Sequence, residues 1–138
     1  MTALYFCRTR YFLWMDEDAF LTDTANETWI EMAMDILRRC PNVFCVSPAW
    51  NDYADTLHSE NTFIFDSDFS IQCFLVDADK VRKCRNLLNY SSPKAAKYPY
   101  YGGNCFEKRI FSFMDRFHLK RAVYLPLNYC HASFSGDK

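Results

Sequence analysis

Between residues 3 and 15 the chain is rich in aromatic and aliphatic residues. A period of two places Tyr5, Cys7, Thr9, Tyr11 and Leu13 on one face, with Arg8 and Arg10 on the other. This spacing predicts a long first strand, ended by Asp16-Glu17-Asp18. Thr24, with Glu27 three residues on, forms a capping-box pattern. Ile30, Ala33, Met34, Leu37 and Cys40 then recur at helical spacing until Pro41 prevents continuation. A short buried strand is expected at 43–47, closed by Pro48, and a short helix around 53–58. The runs TFIF and FSIQCFLV flank Asp66-Ser67-Asp68, which is turn chemistry suited to a hairpin.

The pattern changes period after Asp77, which can cap a helix with Val81, Cys84, Leu87 and Leu88 along one face and Lys80, Arg82, Lys83 and Arg85 over the rest. A second stripe, Phe106, Ile110, Phe113, Met114 and Phe117, predicts another helix. Asn104 and Glu107 form its capping box, and Gly102-Gly103 is the turn leading into it. The last strand, AVYLPLNY, contains Pro126, which is best tolerated on an edge or near a strand end. The predicted fold class is α+β: one compact domain over 1–138, a two-layer sandwich with a mixed or mostly antiparallel sheet of about four or five strands and about three or four helices. At this length a single core buries roughly two-thirds of the unfolded surface. Half of the residues are hydrophobic, which is unlike a disordered chain.

Charge adds a feature that periodicity does not show. Residues 1–79 carry four arginines against fourteen carboxylates, a net of −10. Residues 80–121 carry eleven Lys and Arg against two carboxylates, a net of +9, so the overall charge of −1 hides an acidic half and a basic half. A basic block on successive helices suits an acidic protein face or nucleic acid. The ordinary alternative is that the acidic half folds back on the basic half, or that two copies join through opposite halves as a homo-oligomer. Tyr98, Tyr100 and Tyr101, beside Lys97, lie between the two basic helices and could stack on bases or supply rigid contact area to a protein.

The expected contact surface therefore comprises Lys80, Arg82, Lys83, Arg85, Lys97, Tyr98, Tyr100, Tyr101, Lys108 and Arg109. The function it implies is that of a small non-enzymatic binding protein of inhibitor or adaptor type, needing no cofactor. The alternative is a metal-dependent enzyme acting on phosphate esters or nucleic acid through Asp66, Asp68, Asp77 and Asp79, because paired aspartates supply oxygen ligands for Mg²⁺ or Mn²⁺. Turn formation and helix capping account for the same aspartates more simply. A zinc set of Cys40, Cys45, Cys130 and His131 lacks a tight ligand knuckle; Cys105, as a nucleophile at a helix start, has His58, His118 and His131 as candidate bases but no signature that pairs it with one of them. Seven cysteines, an odd number, point to reduced thiols and an intracellular, cytoplasmic protein. Arg8 and Arg10 interrupt the N-terminal apolar stretch and argue against a membrane span or a signal peptide.

Overall fold

The computed structural model describes residues 6–21, 29–50, 62–83 and 106–131. Within them lie strands β1 (Tyr11–Met15), β2 (Ala19–Leu21), β3 (Val43–Trp50), β4 (Phe63–Asp66), β5 (Cys73–Asp77) and β6 (Lys120–His131), and helices α1 (Trp29–Arg39), α2 (Ala78–Lys83) and α3 (Phe106–Arg116). The α+β class holds: the described strands form one six-stranded mixed sheet in the order β1-β5-β3-β6-β2, with β4 also paired to β6. Only β3 and β6 run parallel; the other pairs are antiparallel. Because β1 and β2 stand at opposite ends of this order yet are joined by the short turn at 16–18, the sheet curls until it is nearly barrel-shaped.

The two-layer arrangement is not confirmed, and side-chain alternation shows why. Neighbouring strand residues point to opposite faces. On β5, Leu75 packs into a cluster with Trp29, Ala33 and Leu37 of α1, whereas Val76 packs with Ile110, Phe113 and Met114 of α3. The same division separates Val46 from Cys45 on β3. The two longer helices thus cover opposite faces of the central strands. Phe69, buried in the connection before β5, packs its ring against Phe44 and Phe74 in the α3 cluster.

Several sequence expectations change for identifiable reasons. Of the strand expected over 3–15, residues 3–5 lie outside the described residues; within 6–15 the strand covers 11–15, matching the five residues that β5 offers in the Tyr11↔Asp77 to Met15↔Cys73 register. TFIF and FSIQCFLV do not form a hairpin: β4 pairs with β6, while β5 lies between β1 and β3. All five β5 residues are buried, as in a central strand. β3 continues through Pro48 to Trp50, and its pairing with β6 is irregular between Pro48 and Ala49, where a missing N–H is tolerated. β6 is an interior strand in spite of Pro126. The proline falls where β4 pairing has ended at Tyr124, β2 pairing has not begun until Tyr129, and β3 pairing skips from Tyr124 to Asn128. The expected helix at 53–58 and the cap at Thr24 lie outside the described residues.

The helical stripes are read correctly where they are described. Ile110, Phe113 and Met114 are buried, while Phe117, beyond the last turn, is exposed. α3 ends in a Schellman motif: Leu119 N–H donates to Met114 C=O at 2.8 Å and His118 N–H to Asp115 C=O at 3.3 Å. His118 holds the left-handed position at φ 53°. A Cβ there is unfavourable, so His118→Gly is expected to raise stability by about 0.5–1 kcal/mol, measured by urea denaturation with an unchanged m-value.

Candidate functional site

The residues nominated as a basic surface do not share one role. Asp77 is buried at the end of β5. Its Oδ1 accepts hydrogen bonds from the N–H groups of Asp79 (2.9 Å) and Lys80 (3.4 Å), which is the expected N-cap. Its Oδ2 accepts one from Arg10 Nε at 3.2 Å. That hydrogen bond, with the charge of Asp77, holds the Arg10 guanidinium above its ordinary pKa. Lys80 then turns inward: Nζ donates to the carbonyls of Leu37 (2.9 Å), Val43 (3.0 Å) and Cys40 (3.4 Å). It closes the C-terminus of α1, where free carbonyls and the helix dipole favour a cation. Burial pushes its pKa down, opposed by Asp77.

Arg82 is engaged as well, donating from Nη1 to Cys7 C=O at 2.9 Å and from Nη2 to Asp79 Oδ1 at 2.5 Å. Together, Arg10 and Arg82 tie the segment leading into β1 to the end of β5 and to α2. Lys83 belongs to α2, and Lys108 and Arg109 stand half-buried in the first turn of α3. Arg85, Lys97, Tyr98, Tyr100 and Tyr101 lie outside the described residues, as do Cys105 and the Asn104 cap.

The expected capping box rests on Asn104, outside the described residues; among the described ones Glu107 has a tertiary partner. Its Oε1 accepts the Ile71 N–H at 3.0 Å, so this carboxylate secures the loop before β5. Burial raises its pKa, the Ile71 hydrogen bond lowers it in part, and Asp16 adds to the rise. Beside this loop, the buried Tyr129 hydroxyl lies 3.2 Å from Gln72 Oε1 and 3.4 Å from Ser70 Oγ. Burial raises its pKa too.

The aspartates of the metal alternative are held apart by these roles. Asp66 is clamped by Arg121, whose Nε and Nη2 donate to its two oxygens at 3.1 and 2.6 Å. Burial works against this guanidinium, but the hydrogen bond and charge of Asp66 outweigh it and keep the pKa raised. Asp66 Oδ1 also accepts the Asp68 N–H at 3.0 Å, as expected for a turn aspartate. Among the described residues no three His, Cys, Asp or Glu side chains gather as metal ligands. The five described cysteines are free, and burial pushes the thiols of Cys45 and Cys73 up to about 12, far from the thiolate range needed for nucleophiles or ligands at neutral pH. The Arg121–Asp66 clamp had no local signal: its partners are 55 positions apart, and only the β4–β6 register brings them together.

No protein-family model matches the chain, and no curated protein or solved structure shows significant similarity to it. No described helix is long and apolar enough to cross a membrane.

Two outcomes are expected from this geometry. Arg121→Ala leaves Asp66 partly buried without its cation and should cost about 3–5 kcal/mol in chemical denaturation, whereas Arg121→Met combined with Asp66→Leu should recover much of that loss. Glu107 has a folded pKa raised above its unfolded value near about 4.3. Its contribution is therefore fully present below that value and lost as pH rises through the folded pKa. Glu107→Gln keeps an acceptor for Ile71 but cannot ionise. Its melting temperature relative to the native protein should rise between pH 4 and pH 7, as followed by circular dichroism.

Proposed function

We propose that this chain is a small non-enzymatic binding protein, of inhibitor or adaptor type, acting inside the cell on an anionic partner. The contact surface runs from the tyrosine stretch Lys97, Tyr98, Tyr100 and Tyr101 onto the first turn of α3. The observation that supports this choice is the division of the basic block. Lys80, Arg82 and Arg121 are taken up by internal partners, while Lys108, half-buried in the first turn of α3, follows the tyrosine stretch in sequence. Glu107, the carboxylate of that same turn, is engaged by the Ile71 N–H. Lys83 and Arg85 extend the same basic segment on the other side of the tyrosines in sequence.

An acidic protein face is the preferred partner, since tyrosines supply rigid contact area at low entropic cost and flanking cations steer association. The test is capture from lysates, with and without nuclease, by the native protein and by a variant carrying Lys97→Glu and Lys108→Glu. Capture of an acidic protein that survives nuclease and falls at least about tenfold in the variant is the expected result. Capture lost on nuclease treatment, with a steep salt dependence, would transfer the reading to nucleic acid. Equal capture by both proteins would sink it.

A further inference from the structure

The connection 67–72 carries the chain from β4 to β5, and both of its ends are fixed. At the entrance Asp68 N–H donates to Asp66 Oδ1 at 3.0 Å, and Lys120 Nζ donates to Ser67 Oγ at 2.8 Å. The exit is β5, whose first residue, Cys73, pairs with Met15. Between the ends Phe69 is 2% exposed, with its ring set against Phe44 and Phe74. Three ties from other elements hold the stretch that follows. Glu107 Oε1 of α3 accepts the Ile71 N–H at 3.0 Å, Asp16 N–H donates to Gln72 C=O at 2.8 Å, and the Tyr129 hydroxyl of β6 lies 3.2 Å from Gln72 Oε1.

Only the first of these ties ends on a carboxyl group. Glu107 from α3 and Asp16 from the turn after β1 are thereby fastened to adjoining residues, Ile71 and Gln72. Glu107 is half-buried, and among the described residues the titratable groups that act on it from other elements are Asp16 and Tyr129. On its own helix Lys108 and Arg109 stand one and two positions on, where side chains do not face one another, and the facing positions three and four on hold Ile110 and Phe111. We infer that residues 69–72 form a pH-sensitive strap, which the neutral Glu107 carboxyl latches against α3 and which ionisation of Glu107 beside Asp16 loosens. An ionised Glu107 still accepts from Ile71. It is then a half-buried charge facing a second carboxylate, and opening of the strap returns it to water. Burial and the charge of Asp16 outweigh the hydrogen bond, so the closed strap binds the proton more tightly than the open one. The strap is therefore most firmly closed in acid, and its open fraction grows as pH rises until Glu107 is ionised in both states. Withdrawing Phe69 from the core keeps the open form a minor one, and the fixed ends keep the opening local. The device belongs to the free protein and stands apart from the contact surface proposed above.

Amide hydrogen exchange of the full chain, followed by NMR between about pH 4 and pH 8 and corrected for the intrinsic pH dependence of exchange, reads the open fraction. Protection of the Ile71, Gln72 and Asp16 amides should fall together as pH rises and then level off. The Leu119 amide, bonded to Met114 C=O at the other end of α3, should not follow them. Glu107→Gln keeps an acceptor for Ile71 but cannot ionise, and its Ile71 protection should lose the pH dependence. Asp16→Asn keeps an acceptor for the Trp14 indole without the charge, so the fall should be smaller and end at lower pH. Protection at Ile71 that is constant or rises with pH in the native protein would overturn the proposal. So would a fall that persists unchanged in Glu107→Gln, or one that Leu119 shares, since the first is independent of the latch and the second is a loosening of the whole fold.

Discussion

The structure depends on β6 finding strand partners on both of its edges along most of its twelve residues. β3 runs parallel along one edge; β4 and β2 share the other, β4 against the first half and β2 against the second. A parallel neighbour cannot be reached by a tight turn, so the chain must leave β3, build β4, β5, α2 and α3, and return to lay β6 beside it. That return explains the rest of the order. β5 fills the far side of β3, β1 completes β5, and the turn at 16–18 carries the chain from β1 around to β2 at the other end of the order. Pro126 is accommodated because it occupies the one interval of β6 where every partner ladder is interrupted.

The internal use of charge follows from the same topology. Asp66 at the end of β4 and Arg121 at the start of β6 are opposite one another in the ladder, and their partial burial is compensated by a bidentate pair. Asp77 ends β5, caps α2 and holds Arg10, while Lys80 one turn later closes α1 from beneath. The acidic and basic halves of the chain thus meet partly within the molecule. Lys80 and Arg82 look like part of a binding face in the sequence because the carbonyls they engage are distant in it. In the fold they are capping and clamping groups.

What was legible in the sequence was mostly local. The stripes of α1 and α3 follow from residues three and four apart, which meet on one face whatever surrounds the helix. Asp77 was readable as a cap because its acceptors lie two and three residues on. The strand from Val43 was readable from its apolar run, but its continuation through Pro48 was not, since only the irregular β3–β6 pairing makes a strand proline harmless. The hairpin reading of 62–76 failed because turn chemistry at Asp66 reports that the chain bends without reporting which strand it meets next. Glu107 shows a similar limit: its bond to the Ile71 N–H links distant positions and exists only because the loop before β5 lies alongside α3.

By itself the sequence determined the class of the fold, the helices and their buried stripes, the turn aspartates and the split between acidic and basic halves, because each of these rests on interactions within about four residues or on composition alone. The tertiary structure decided which strands pair, that the two longer helices cover opposite faces, which cations are spent on distant carbonyls and carboxylates, and that the side chains of Leu13, Trp14 and Met15 stay exposed. In sequence β1 reads as a strand exposed near its middle; which strand it pairs with is fixed by long-range pairing that no local pattern encodes.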